Sequence, residues 1–306
     1  MKAIQYTAFG KSDVLELKQV EKPVMKNDEV LIKVKATTVN PLDMKIRSGN
    51  MQKMMPVQLP FIPGSDAAGI VEAVGVNVKR IKPGDEVFGS TFGGTYAEFV
   101  VINENSVAVK TPGVSFNEAA ALAVPVGTAY SVLIEKGELK SGQKILIHGA
   151  AGAVGSMMVQ MAKALGAYVI ATASGAGTSL VKEFGADELI DYKTQDFTKL
   201  VKDIDFVADT VGGETQSRSF EVLKKGGKLI SIVMPPSEEL AKKHEVAAQC
   251  ISSAPSHKKL EYGLQLVQQG KAKASVSKVF PLEDAAQAQD MVAAGGVNGK
   301  VVLEVF

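Results

Sequence analysis

The stretch Lys144–Ser174, KILIHGAAGAVGSMMVQMAKALGAYVIATAS, decides the fold. Ile145, Leu146 and Ile147 form a short apolar run of the kind a parallel sheet buries on both faces. Gly149-Ala-Ala-Gly-Ala-Val-Gly155 interrupts it. From Ala153 onward apolar residues return at Val154, Met157, Met158, Met161 and Leu165, which is helical spacing. Gly166 ends that helix, and Tyr168–Ala173 reads as a second buried strand. Strand, glycine turn, helix and strand within about thirty residues make the βαβ unit that binds dinucleotides.

The glycines divide the work. Gly152 leaves the backbone bare where a pyrophosphate comes close, and Gly155 permits tight packing of helix on strand. The N–H groups of the first turn, at Gly152, Ala153 and Val154, then face the phosphates with the helix dipole behind them. Where the G-x-G-x-x-G pattern has its first glycine, this chain has Ala150. Gln160, Lys163 and the glycine cluster break the apolar character, so no 18-residue membrane-spanning run is expected here.

At 306 residues, about two domains with ample core are expected. A net charge of +1 points to neither nucleic acid nor an anionic membrane as partner. The single cysteine, Cys250, excludes an internal disulfide framework and a cysteine-rich zinc site, and suits a reducing, cytoplasmic compartment. Met1-Lys-Ala-Ile-Gln-Tyr leads straight into folded-looking sequence, so no targeting segment is expected.

Residues 1–110 read as β-rich. Glu29–Ala36 alternates Val30, Ile32, Val34 and Ala36 with lysines, the period of a half-buried strand; Ala68–Val74 and Tyr96–Ile102 are similar. Pro/Gly turns at Lys82–Asp85 and Phe92–Thr95 predict a closed or nearly closed β-domain. Asn117–Val124 predicts a helix capped by Asn117 or Ser115, and Pro125 opens another. After Ser174 come a helix near Thr178–Phe184, strands near Leu189–Ile190 and Phe206–Ala208, a helix over Thr215–Leu223 and a strand over Lys228–Val233. Val246–Ile251 completes a six-stranded, doubly wound parallel sheet as its edge. Helices near His257–Gln269 and Leu282–Ala293 and a strand Lys300–Val305 close the chain.

Taken together, Asn40-Pro-Leu-Asp-Met-Lys45, Pro63–Val71, Lys82–Gly89, Gly94–Phe99, Gly127–Tyr130, the Gly149–Gly155 turn, Asp209–Gly213 and Gly299–Leu303 resemble the medium-chain dehydrogenase/reductase superfamily over nearly the whole chain. Within it the chain resembles the zinc-free quinone oxidoreductase and enone reductase branch. The resemblance implies a GroES-like catalytic β-domain over 1–122, a Rossmann domain over 123–256, and a return to the first domain over 257–306, with the active site in the cleft between the two. It also implies that Thr128, Val211 and Val233 line the nicotinamide half of that cleft. Asn298 stands where some relatives carry a basic cofactor contact. Where zinc alcohol dehydrogenases have cysteine and histidine-glutamate, this chain has Asn40 and Ser65-Asp66, which are poor zinc ligands, so no metal is expected.

An acidic residue about twenty positions past the glycine turn would bond the ribose of NAD. Ser174-Gly-Ala-Gly-Thr178 occupies that place, so NADPH is expected, with Ser174, Thr178 and Tyr192 as hydrogen-bonding contacts and Lys182 as a nearby charge. Asn40, Asp43 and Lys45 are the candidate catalytic residues: Asn40 bonding substrate or carboxamide, Asp43 positioning Lys45 or capping a short helix, Lys45 stabilising charge on the substrate oxygen. The expected reaction is hydride transfer from NADPH to quinones or α,β-unsaturated carbonyl compounds in a homodimer that pairs through the Val246–Ile251 edge. A nicotinamide-dependent sensing protein with little turnover, or a zinc-independent alcohol or carbonyl oxidoreductase, is the alternative.

Overall fold

The computed structural model describes residues 1–305 and divides into two compact units. The first comprises Met1–Val124, Pro255–Leu264 and the chain from Ala274 onward; the second comprises Pro125–Ala254 and Gln265–Lys273.

The first unit opens with β1 (Lys2–Gln5), β2 (Glu16–Gln19) and β3 (Glu29–Thr38), then the short helix α1 (Pro41–Arg47). Strands β4 (Asp66–Val74), β5 (Glu86–Ser90), β6 (Phe99–Asn103) and β7 (Val107–Val109) follow. α2 (Phe116–Tyr130) then carries the chain across the boundary at Val124/Pro125 and runs on as a π-helical turn, Ser131–Lys136. Ser115 and Glu118 form its capping box: the Glu118 N–H donates to Ser115 Oγ (3.2 Å) and the Ser115 N–H to Glu118 Oε2 (2.8 Å). Two helices were expected and one is present, because Pro125 lies inside it. Proline has a helical φ and removes only one donor, here beside the small side chains of Ala119–Ala123. The segment 116–136 is long and apolar enough to cross a membrane, but 72% of its window is buried inside the protein, as a core helix would be.

The second unit alternates strand and helix: β8 (Lys144–His148), α3 (Ala153–Ala164), β9 (Tyr168–Ala173), α4 (Ala176–Glu183), β10 (Glu188–Asp191), α5 (Phe197–Leu200), β11 (Ile204–Asp209), α6 (Gly213–Arg218), β12 (Leu223–Ser231), α7 (Glu238–His244) and β13 (Ala247–Cys250). All six strands pair in parallel in the order β10-β9-β8-β11-β12-β13, the doubly wound arrangement expected. The order reverses between β8 and β11, which makes the ends of those strands the switch point where ligands bind. Leu146, Ile170, Val207 and Leu229 bury the sheet between its helix layers.

The chain ends with α8 (His257–Gln268), β14 (Val276–Pro281), α9 (Ala285–Ala293) and β15 (Lys300–Glu304). The return to the first unit is interrupted, since residues 265–273 belong to the second. The Gln160 amide on α3 explains this: it donates to Lys273 O (3.1 Å) and accepts from Lys273 N (2.8 Å). β14 and β15 join the first unit's seven-stranded sheet, β14-β15-β3-β4-β5-β7 with β6 on β3. β3 is its spine, because β4 covers one edge while β6 and then β15 cover the other. Its core is Val30, Ile32, Val34, Tyr96 and Phe280 with their neighbours.

Candidate active site

In the second unit, β8 delivers the chain into the glycine turn at the switch point. Gly149 has φ +67°, and a side chain there would strike Thr210 Oγ1. Gly152 is the N-cap of α3, and no side chain caps that terminus. The first-turn amides of Ala153 and Val154 are therefore left for a ligand. A Cβ on Gly152 would meet only Gly149 O, at 3.3 Å, whereas one on Gly155 would fall 2.2 Å from that oxygen and 2.8 Å from Ala150 Cα. Gly152 thus borders open space, and Gly155 holds the helix against the turn. An uncapped, glycine-lined start of a twelve-residue helix fits a diphosphate.

β9 and β10 bring Ser174 and Tyr192 together, since Ala173 and Asp191 are register partners and the Tyr192 N–H donates to Ala173 O at 3.3 Å. The Tyr192 side chain is 58% exposed. The Thr178 hydroxyl donates to Gly175 O (2.7 Å), which leaves its lone pairs free to accept. Lys182 lies in the last turn of α4. The basic residue beside this strand end is Lys193, directly after Tyr192, its own N–H bonded to Asp191 Oδ1 (3.0 Å). Sequence reading passed over it, although the adjacency Tyr192-Lys193 was there to see.

Val211 and Val233 stand at the ends of neighbouring strands, 50% and 37% exposed. Asp209 sets both loops. Its Oδ1 accepts from the N–H groups of Val211 (2.9 Å) and Gly212 (2.8 Å), and its Oδ2 from Gln216 Nε2 (2.9 Å) and Ser231 Oγ (2.8 Å). Ser231 Oγ in turn accepts from the Val233 N–H at 3.2 Å. Two apolar side chains are thereby held out from a rigid polar base. Thr128 is buried in α2. His148 is a core residue, with Nδ1 3.2 Å from Thr172 Oγ1 and Nε2 3.0 Å from Ser219 Oγ. Burial pushes its imidazole down to about 4, against the pull of Asp209.

In the first unit, Asn40 is the N-cap of α1 and Pro41 its first residue. The Asn40 N–H donates to Asp43 Oδ2 (2.8 Å), and Tyr96 OH donates to the same oxygen at 3.3 Å. Asp43 is buried, and desolvation pushes its pKa from 3.8 up to about 7, against the Asn40 hydrogen bond and the Lys300 charge. Of its two expected roles, the structure displays the cap. Lys45 is exposed on α1, and Asn298 is half-buried in the loop before β15.

The Asn40 side chain belongs to a buried ionic network that sequence reading did not find. Lys300 Nζ donates to Thr38 Oγ1 (2.9 Å), Asn40 Oδ1 (2.5 Å) and Asp66 Oδ2 (2.9 Å). Asn40 Nδ2 donates to Asp66 Oδ2 (2.9 Å), as does Thr38 Oγ1, and the Val124 N–H donates to Asp66 Oδ1 (2.7 Å). A lysine opening the apolar run Lys300-Val-Val-Leu and an aspartate opening Asp66-Ala-Ala-Gly were the available signals.

A parallel sheet with an uncapped glycine-lined helix at its switch point is the architecture of a dinucleotide-binding domain. Residues 26–113 match the alcohol dehydrogenase GroES-like domain family and residues 184–303 the zinc-binding dehydrogenase family. Human quinone oxidoreductase is 32% identical over an alignment of 322 positions, gaps included, that covers 99% of this chain and 97% of the human protein. The 2-methylene-furan-3-one reductase of Solanum lycopersicum is 42% identical over an alignment of 252 positions that covers 77% of this chain and 64% of that reductase. The solved structure of Escherichia coli quinone oxidoreductase complexed with NADPH has a TM-score of 0.90 at 28% identity, covering 99% of this chain and 100% of that one. The chain belongs to the medium-chain dehydrogenase/reductase superfamily, and within it to the quinone oxidoreductase and enone reductase branch.

The zinc in one matched family's name does not fit the residues here. Asn40 and Asp66 surround an ammonium, and among the described residues no three His, Cys, Asp or Glu side chains are grouped to hold a metal ion.

Proposed function

We propose that the chain reduces quinones and α,β-unsaturated carbonyl compounds with NADPH and without a metal ion. The observation that carries this reading is the uncapped N-terminus of α3 at Gly152, in a chain of the quinone oxidoreductase branch. Gly152, Ala153 and Val154 hold the diphosphate. Ser174, Tyr192 and Thr178 take the adenosine ribose with its 2′-phosphate, with Lys193 and Lys182 as nearby charges. Thr128, Val211 and Val233 pack against the nicotinamide, and Asn298 is a further cofactor contact. NADPH supplies the hydride when bound. What remains for the protein is to orient the acceptor and to stabilise the negative charge that collects on its oxygen. Asn40 donates a hydrogen bond to that oxygen, Lys45 adds positive charge, and Asp43 holds the start of α1 on which both depend.

The edge strand β13, bonded among the described residues to β12 alone, supports pairing into a homodimer. The burial of 116–136, the net charge of +1 and the free Cys250 support a cytoplasmic protein that engages neither membrane nor nucleic acid. Following NADPH absorbance after addition of quinones, alkenals and enones, with and without a chelator, tests the reading. Tight NADPH binding with no acceptor-dependent oxidation would indicate a sensing protein instead.

A further inference from the structure

We propose that Lys300 and Asp66 are positioning residues for Asn40: the buried ion pair fixes its amide in one orientation and strengthens it as a donor to the substrate oxygen. This deepens the reductase reading and rests on it.

Lys300 is 3% exposed and Asp66 0%. Their charges are fully satisfied, with all three ammonium protons bonded and both carboxylate oxygens accepting. Such a pair is costly to bury, and apolar residues of similar volume often serve stability as well or better. Stability alone therefore does not account for it.

Asn40 sits between the two charges. Its Oδ1 faces the ammonium and its Nδ2 faces the carboxylate. The flipped amide would set NH2 against NH3⁺ and oxygen against carboxylate, so a single orientation is allowed. One Nδ2–H goes to Asp66; the second meets no protein acceptor among the described residues. At 7% exposure the residue stands at the margin of the network rather than deep within it. A cation on the amide oxygen draws electron density from the nitrogen and makes that second N–H a stronger donor, by about 10–30% per bond in cooperative chains. All three ammonium protons are used, so Lys300 acts on substrate only through Asn40.

Lys300→Met alone would strand the Asp66 charge and risk misfolding. The test variant is Lys300→Met/Asp66→Asn, which removes both charges and keeps an acceptor for the Val124 N–H; a thermal melt confirms its fold. The first readout does not depend on turnover. Two-dimensional NMR follows the Asn40 side-chain NH2 pair, assigned by its loss in Asn40→Ala. In the unchanged protein one proton of the pair exchanges slowly and is shifted downfield, and in the test variant both return to ordinary amide positions. The second readout is kinetic. The expected loss in kcat is about 10–100-fold, part of the 10²–10³ lost when an oxyanion donor is removed outright, with NADPH Kd within about twofold. Asn40→Ala added to the test variant should cost only the remaining part, about tenfold more, and less than the 10²–10³ expected for Asn40→Ala in the unchanged protein, because both changes act on one interaction. An Asn40 resonance that does not move, retained kcat, or losses that multiply would overturn the proposal. Failure of the unchanged protein to oxidise NADPH with any acceptor would overturn the reductase reading and the proposal with it; retained turnover in the variant overturns the proposal alone.

Discussion

Replacing Asp43 by Asn should make the protein more stable as pH rises. The Asp43 carboxyl is buried beneath the start of α1, and desolvation lifts its pKa from 3.8 to about 7. The folded state thus holds the proton after the unfolded chain has lost it. The resulting stability is fully present below about pH 4 and is lost as pH climbs through 7. Each pH unit between those two values costs roughly 1.4 kcal/mol, so the loss reaches the order of 4 kcal/mol by pH 8. Asn is neutral at every pH and keeps an oxygen for the Asn40 N–H that caps the helix. Urea unfolding midpoints of the cofactor-free protein, measured from pH 4 to 8, should therefore diverge, with Asp43→Asn equal or weaker at pH 4 and stronger at pH 8. His148 titrates in the opposite sense. Its pKa is lowered to about 4, so its stabilising contribution is lost as pH falls from 6.5 through 4. That effect is common to both proteins and cancels in the difference. A difference that is flat with pH, or that favours the unchanged protein at pH 8, would refute the reasoning.

Gly155→Ala places a Cβ 2.2 Å from Gly149 O, so the turn must shift; a stability loss of about 1–3 kcal/mol and weakened NADPH binding are expected by melting and fluorescence titration. Unchanged NADPH affinity would show that the turn does not hold the diphosphate. Ser174→Asp sets a carboxylate beside Tyr192 and should penalise NADPH relative to NADH by about tenfold or more in Kd; an unaltered ratio would locate the 2′-phosphate elsewhere. Lys45→Met should lower kcat while leaving NADPH Kd nearly unchanged. Because Lys45 is exposed and screened by water, the expected loss is about tenfold rather than the 10²–10³ of a buried donor. If only the Kd rises, Lys45 is a cofactor contact.

What was legible in the sequence was local. The βαβ unit could be read because strand, glycine turn and helix lie within one short stretch and each glycine answers a steric demand that now has a distance. β3 could be read because Val30, Ile32 and Val34 alternate. β1, β2 and β14 could not: β1 buries two adjacent residues, β2 none and β14 only Phe280, so no alternating hydrophobic period marks them. Pro125 was read as a helix start because proline usually is one, and tertiary packing overrode that preference. The Lys300–Asp66 pair joins residues 234 positions apart, and no local pattern announces such a contact. Asp209 was visible in Asp209-Thr-Val-Gly-Gly213, but its hold on Val233 passes through Ser231 on another strand.

The most direct test is to mix the purified protein, treated with chelator, with NADPH and a panel of quinones and enones, and to follow the nicotinamide absorbance. Acceptor-dependent oxidation that survives chelation is the expected result. Oxidation that vanishes with chelation and returns with zinc, or none with any acceptor, would contradict a metal-free NADPH-dependent reductase.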